Sequence, residues 1–181
     1  MVTTAAIRFD REWAMPSAHT FTIPPIKRLL MQEGAYSGGI WADPFSGFNS
    51  PAAATNDLNP ETPAVDHMDA LEWLRCCETE FFDGALYDPP YSISQAAQVY
   101  AGFGVERLGQ HPSNMGYWAS IKDELARIVK PAGKVISCGW STNGLGEGRG
   151  FVMMRILLVP HGGSKNDTIV TVETKQQARL L

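Results

Sequence analysis

The chain has 181 residues, 44% of them hydrophobic and 19% charged, and a net charge of −4. That length suits one domain with a sizeable core, and no apolar run approaches the roughly 18 residues of a membrane span. The acidic balance argues against gripping nucleic acid by bulk charge, because phosphate neutralisation needs Lys and Arg, although a local basic face is compatible with it. The opening stretch MVTTAAIRFDREWAMPSAHT carries charges where a signal peptide needs an apolar centre, so a cytoplasmic protein is expected rather than an exported one. Three cysteines, Cys76, Cys77 and Cys138, lack metal-ligand spacing and read as small buried or half-buried thiols in a reducing compartment. No metal site is expected.

In chain order, residues 1–19 read as an N-terminal arm and 20–175 as the core of a single domain spanning 1–181. IPPIKRLLMQEG (23–34) predicts a helix with prolines in its first turn and Gly34 as its stop. GGIWADPF (38–45) predicts a short buried strand running into a loop, and AAATNDLNP (52–60) a second strand ending at Asp57. MDALEWLRCCE (68–78) predicts a helix with Asp69 near its start, FFDGALYDPPY (81–91) a strand, and ISQAAQVYAGF (93–103) a weak helix. In the next unit Trp118, Ile121, Leu125, Ile128 and Val129 follow helical spacing, PAGK makes a turn and VISCGW is a buried strand. GFVMMRILLVPHGGSKNDTIVTVETK reads as a hairpin. STNGLGEGRG (141–150) is a glycine-rich turn that does not match a phosphate loop; its functional reading is a mobile flap with Arg149 reaching a phosphate.

Helices alternating with strands predict an α/β fold with a mostly parallel sheet, and the C-terminal hairpin predicts an antiparallel edge strand. Ligands of such sheets bind beyond the carboxyl ends of the strands. Asp43, Asp57 and Asp88 fall at or just past predicted strand ends, and Asp69 follows closely on a third. Between Asp43 and Asp57 the chain is too short for the helix a parallel crossover normally carries, so that helix is expected to be missing or reduced to a turn. Asp88-Pro89-Pro90-Tyr91 reads as a stiff ledge, because proline lacks a donor N–H and drives the residue before it out of the helical region.

These pieces together resemble the S-adenosylmethionine-dependent amino-methyltransferases of DNA, in particular the N6-adenine type with a Rossmann-like fold. The family's catalytic Asp-Pro-Pro-Tyr stands intact at 88–91, and DPFSGFN (43–49) resembles its cofactor loop, with Asn49 where a second glycine is expected. FTIPPIKRLL, NDLNPE and HMDALEWL resemble the helix beside the methionine end, the ribose-binding strand end and the segment near the adenine ring. The resemblance covers roughly residues 20–175. The target-recognition segment usual in the family has no counterpart, since only about two dozen residues separate Tyr91 from Tyr117.

The resemblance implies methyl transfer to the exocyclic amine of a flipped or single-stranded adenine, with short or weak sequence preference. Asp88 and the Pro89 carbonyl would accept from the amine, Pro90 would stiffen the ledge and Tyr91 would stack on the base. Asp57 would hold the ribose and Asp69 the cofactor's adenine. Asp43, Pro44, Phe45 and Gly47 would line the methionine part, with Thr22 and Lys27 towards its carboxylate. Ser92 and Arg149 would touch nucleic acid. Methylation of adenine in RNA, methylation of the cytosine amine, and a non-catalytic nucleic-acid-binding subunit are the alternatives. A homodimer is an expected way to cover sheet surface left bare by the reduced crossover.

Overall fold

The computed structural model describes residues 6–90, 115–163 and 165–177. Seven strands form one sheet: β1 (Arg8–Arg11), β2 (Trp41–Asp43), β3 (Ala54–Thr55), β4 (Phe82–Tyr87), β5 (Val129–Gly139), β6 (Phe151–Val159) and β7 (Thr168–Lys175). They lie in the order β1-β6-β7-β5-β4-β2-β3. The pairs β3-β2, β2-β4, β4-β5 and β1-β6 are parallel, while β7 is antiparallel to both β5 and β6. The predicted mixed sheet and C-terminal hairpin are therefore present. The reversed strand, however, is not the predicted edge: β7 inserts between β5 and β6, and β1 takes the edge.

That edge strand comes from the segment read as an arm outside the core. Beyond β1, Glu12 and Ala14 still donate their N–H groups to the carbonyls of Leu158 and Pro160. In RFDREW three consecutive charges, Asp10, Arg11 and Glu12, break the alternation and hid a strand whose two faces are both largely exposed.

Helix α1 (Pro24–Glu33) begins on two prolines and ends at Gly34, whose φ of 94° and N–H to the Leu30 and Met31 carbonyls form a left-handed C-cap. It buries Ile26, Leu29 and Leu30 against Leu86, Ile136, Leu157, Val170 and Val172 on one sheet face. Helices α2 (Ala70–Cys76) and α3 (Met115–Ile128) cover the other face with Leu71, Leu74, Ile121 and Leu125 against Ala85, Val135 and Phe151. Each such fully buried Leu or Ile contributes about 1.5–3 kcal/mol. Trp118, expected in the α3 core stripe, is only half-buried, and Tyr117 takes the buried position instead. PAGK lies inside β5, where Ala132 has φ 64° and the β4 pairing jumps from Phe82–Val129 to Gly84–Lys134.

Residues 44–53, which connect β2 to its parallel neighbour β3, contain no helix. The predicted loss of the crossover helix is thus met by a loop of turns. Among the described residues no helix is long and apolar enough to cross a membrane, and no cluster of His, Cys, Asp or Glu could hold a metal ion. The cysteines are free: Cys138 is buried, Cys77 half-buried and, against expectation, Cys76 exposed. Burial pushes the Cys77 thiol up to about 11 and that of Cys138 well above its usual range. The weak helix expected over 93–103 lies outside the described residues.

Candidate active site

The carboxyl ends of β2, β3 and β4 open onto a cavity of about 330 Å3, lined by Pro44, Phe45, Asp57, Asp88, Pro89 and Pro90 among others. Asp88, Pro89 and Pro90 leave β4 at the edge of this cavity. Pro89 and Pro90 also wall a second cavity of about 280 Å3 on their far side. The proline ledge is therefore a partition between two spaces. Tyr91 and Ser92, the other sequence-predicted residues here, lie outside the described residues.

The loop after β2 is organised from below by Asp43. This carboxylate is buried and takes the Ser50 hydroxyl at 2.6 Å and the Phe45 N–H at 3.0 Å. Burial raises its pKa to about 8; the Ser50 and Phe45 hydrogen bonds oppose the rise, and the negative charges of Asp88 and Asp57 add to it. Asp43 is absent from the cavity walls and works through the loop it holds.

Asp57 does face the cavity. Its Oδ2 accepts the Gly47 N–H at 2.8 Å and its Oδ1 the Asn59 N–H at 2.9 Å. A carboxylate has about four acceptor directions, so each oxygen keeps capacity for another donor. Gly47 has φ 53°, and a Cβ there would meet nothing within 4 Å. Its backbone thus borders open space beside a smaller cavity of about 140 Å3, which Asp88 and Phe45 also line. Asn49 is exposed and has no positive φ, so the substituted glycine position is not one that demands glycine.

Asp69 is placed differently from the expectation. Its Oδ1 caps α2 by accepting the Leu71 and Glu72 N–H groups, and its Oδ2 accepts the Tyr117 hydroxyl at 2.7 Å. The neighbours Met68 and Ala70 line the cavity, with Leu58. Thr22 and Lys27 also stand away from it: the Thr22 hydroxyl donates to the His19 carbonyl at 2.8 Å, and Lys27 is on the exposed face of α1. Ser17, Ala18 and Thr20 supply that wall instead.

Asn56 was missed by the sequence reading. It is fully buried, and its amide donates to the Pro44 and Met68 carbonyls and accepts the Met68 N–H, tying three cavity segments together. An Asn directly before a strand-end Asp is the only signal the sequence held for it. Leu58 was detectable as the apolar residue directly after the acidic strand end.

On the far side of the ledge, Tyr87, Trp118, Lys122, Ser137 and Trp140 surround the second cavity. The Ser137 hydroxyl is buried and has no hydrogen-bond partner among the described residues. Lys122 lies 5.9 Å from the Tyr87 ring centre and donates to the Asn143 and Gly144 carbonyls at 2.9 and 2.8 Å. Its burial and the nearby Arg149 charge hold its pKa below the usual lysine range.

The glycine-rich segment 141–150 is fastened rather than free to act as a flap. The buried Glu173 carboxylate accepts the Leu145 and Gly146 N–H groups at 2.6 and 2.9 Å. Arg149 pairs with Asp123 at 2.7 Å and donates to the Leu145 and Ala119 carbonyls, so its guanidinium is turned to the protein and not to either large cavity. The sequence could not show this, because Glu173, Lys122 and Asp123 reach the loop from distant elements.

No protein-family model matches the chain, and no curated protein matches it in sequence. Among solved structures, TrmN from Thermus thermophilus superposes with a TM-score of 0.55 at 18% identity, over 84% of this chain and 49% of that one. This chain thus spans about half the length of TrmN. The Burkholderia thailandensis 1,6-didemethyltoxoflavin-N1-methyltransferase, solved with its substrate and S-adenosylhomocysteine, gives a TM-score of 0.57 at 12% identity, over 88% and 80% of the chains. N-methyltransferase NodS from Bradyrhizobium japonicum WM9 gives 0.54 at 11% identity, over 84% and 98%. At these identities the likeness concerns the fold, and it shows that this chain has the Rossmann-like methyltransferase architecture.

Proposed function

We propose that the protein transfers a methyl group from S-adenosylmethionine to the exocyclic N6 amine of adenine in DNA. The observation that carries this reading is the partition: Pro89 and Pro90 separate a cavity among strand-end carboxylates, which Asp88 lines, from another among aromatic rings. The methyltransferase fold of the structural neighbours supports it.

The residues of the inner cavity fit the cofactor. Asp57 offers acceptor capacity for ribose hydroxyls, and Leu58, Met68 and Ala70 form an apolar slot for an adenine ring. Gly47 lets the chain approach closely at φ 53°. When bound, S-adenosylmethionine supplies an electrophilic methyl group.

The chain's own task is to present the amine. An adenine amine is a weak nucleophile because its lone pair is delocalised into the ring. Donation of its two N–H groups to the Asp88 carboxylate and the Pro89 carbonyl favours a pyramidal nitrogen and frees that pair. The prolines keep both acceptors oriented, so catalysis comes from positioning. The amine that gains the methyl loses one proton along the hydrogen bond to Asp88. Trp140 and Trp118 give the outer cavity π-faces for an extruded base, whose unstacking costs a few kcal/mol.

Incubation with labelled cofactor and unmethylated DNA, followed by nucleoside mass spectrometry, tests the reading; N6-methyladenine is expected. Label in methylcytosine or only in RNA overturns the substrate. Absence of S-adenosylmethionine binding by calorimetry overturns methyl transfer altogether and leaves a nucleic-acid-binding subunit.

A further inference from the structure

We propose that β1 is the contact through which two copies of this chain pair, edge to edge, in one defined register. β1 lies at the opposite edge of the sheet from β2 and β3, so this contact is separate from both cavities and independent of the methyl-transfer reading. Among the described residues β1 pairs only with β6, and its outer edge is open. Natural edges are usually protected by proline, lysine or a bulge. RFDREW has no proline, lysine or bulge; its protection is limited to its shortness and to the charges of Arg8, Asp10, Arg11 and Glu12, which a second copy can pair.

The edge is also apolar in a regular way. Ile7, Phe9, Trp13 and Met15 are 51%, 61%, 58% and 67% exposed and lie on one side of an extended segment, with the exposed Arg11 between them. They share one face of the sheet with Ile156 and Leu158, since Phe9 pairs with Ile156 and Arg11 with Leu158, both half-buried. No helix among the described residues covers this patch: the β5–β6 connection holds only a short 3-10 turn at Glu147–Arg149.

Charge and hydrogen-bond direction select a second copy and a register. Even-numbered residues point their backbone groups at β6, as Glu12 and Ala14 show, so odd-numbered residues point theirs at the open edge. An antiparallel pair centred on Asp10 therefore matches every outward group with another. It sets Arg8 against the second copy's Glu12 and Ile7 against its Trp13, each twice, with Phe9 against Arg11. Asp10 at the centre is held by Arg155, so Arg8, which also pairs with Asp10, can turn to the second copy's Glu12, joining the Arg28 that pairs with Glu12 in its own chain. Centring on Arg11 would oppose Arg11 to itself and Asp10 to Glu12, which is destabilising. Centring on Phe9 would pair Ile7 with Arg11 in place of Trp13.

Sedimentation velocity of the purified chain over the micromolar range, together with thiol cross-linking, tests this. A dimer is expected, and Phe9→Lys, an exposed change that leaves the melting temperature near wild type, is expected to weaken it by about tenfold or more. In a Cys76→Ser background, Arg8→Cys and Glu12→Cys variants should form a disulfide when mixed and not separately, because non-hydrogen-bonded antiparallel partners lie about 4.5 Å apart, within disulfide range. A monomer at all concentrations overturns the proposal. So does a dimer that Phe9→Lys leaves unchanged, or a disulfide formed by either variant alone in preference to the mixture.

Discussion

Asp57 accepts the Gly47 N–H at 2.8 Å and thereby locks the loop after β2 to the end of β3. One carboxylate both shapes the loop and faces the cavity. Asp57→Ala should therefore weaken S-adenosylhomocysteine binding by about 10- to 100-fold, the loss of hydrogen bonds to a charged group. Gly47→Val should also weaken it, because φ 53° is strained for a β-branched residue and the new side chain enters open space at the cavity. Titration calorimetry on both variants checks this; unchanged affinity in Asp57→Ala would contradict the assignment of the inner cavity to the cofactor.

Asp88 stands at the partition and is assigned to the amine. Asp88→Ala should lower single-turnover methylation by about 10²–10³-fold, as for loss of a preorganised charge-oriented group, with cofactor affinity little changed. A parallel loss of cofactor binding would move Asp88 from catalysis to cofactor contact.

Asp43 couples the site to pH. Its pKa in the folded protein is raised to about 8, chiefly by burial, against a reference value of 3.8. Between these values the folded chain holds a proton that the unfolded chain has lost. The stabilisation is thus fully present below the unfolded pKa and lost as pH rises through the folded one, with a slope of up to about 1.4 kcal/mol per pH unit. Thermal melts should show stability falling from about pH 5 to about pH 8.5, and Asp43→Asn should flatten that fall. A wild-type melt that rises over this range would refute the neutral form of Asp43.

The loop beside the outer cavity depends on Glu173. A Cβ at Gly144 would lie 1.9 Å from Glu173 Oε2, so Gly144→Ala forces the carboxylate off the Leu145 and Gly146 N–H groups. A loss of about 1–3 kcal/mol in urea unfolding is expected for these buried donors. Trp140→Ala, by contrast, should leave stability nearly unchanged and raise the KM for DNA about tenfold through lost stacking. If Trp140→Ala changed only cofactor affinity, the outer cavity would not be the base site.

Several elements were legible because their signals are local. Prolines at the first turn and Gly34 at the end define α1, and the short span 44–53 leaves no room for a crossover helix. Others were hidden by a missing or competing signal. β1 lacks the apolar run of a buried strand because it is an edge. The reversed strand was expected at the margin because a hairpin specifies only that two strands are adjacent, not which of them touches β5.

By itself the sequence determined the stiffness of the Asp-Pro-Pro ledge and the placing of carboxylates at successive strand ends. These follow from proline's fixed φ and from short-range periodicity. Only the tertiary structure decided which carboxylates face a cavity. Asp57 does, while Asp43 turns to Ser50 and Asp69 to Tyr117, a hydroxyl 48 positions away. A carboxylate's direction is set by the donors packed around it, and those donors are brought together by folding across the sheet.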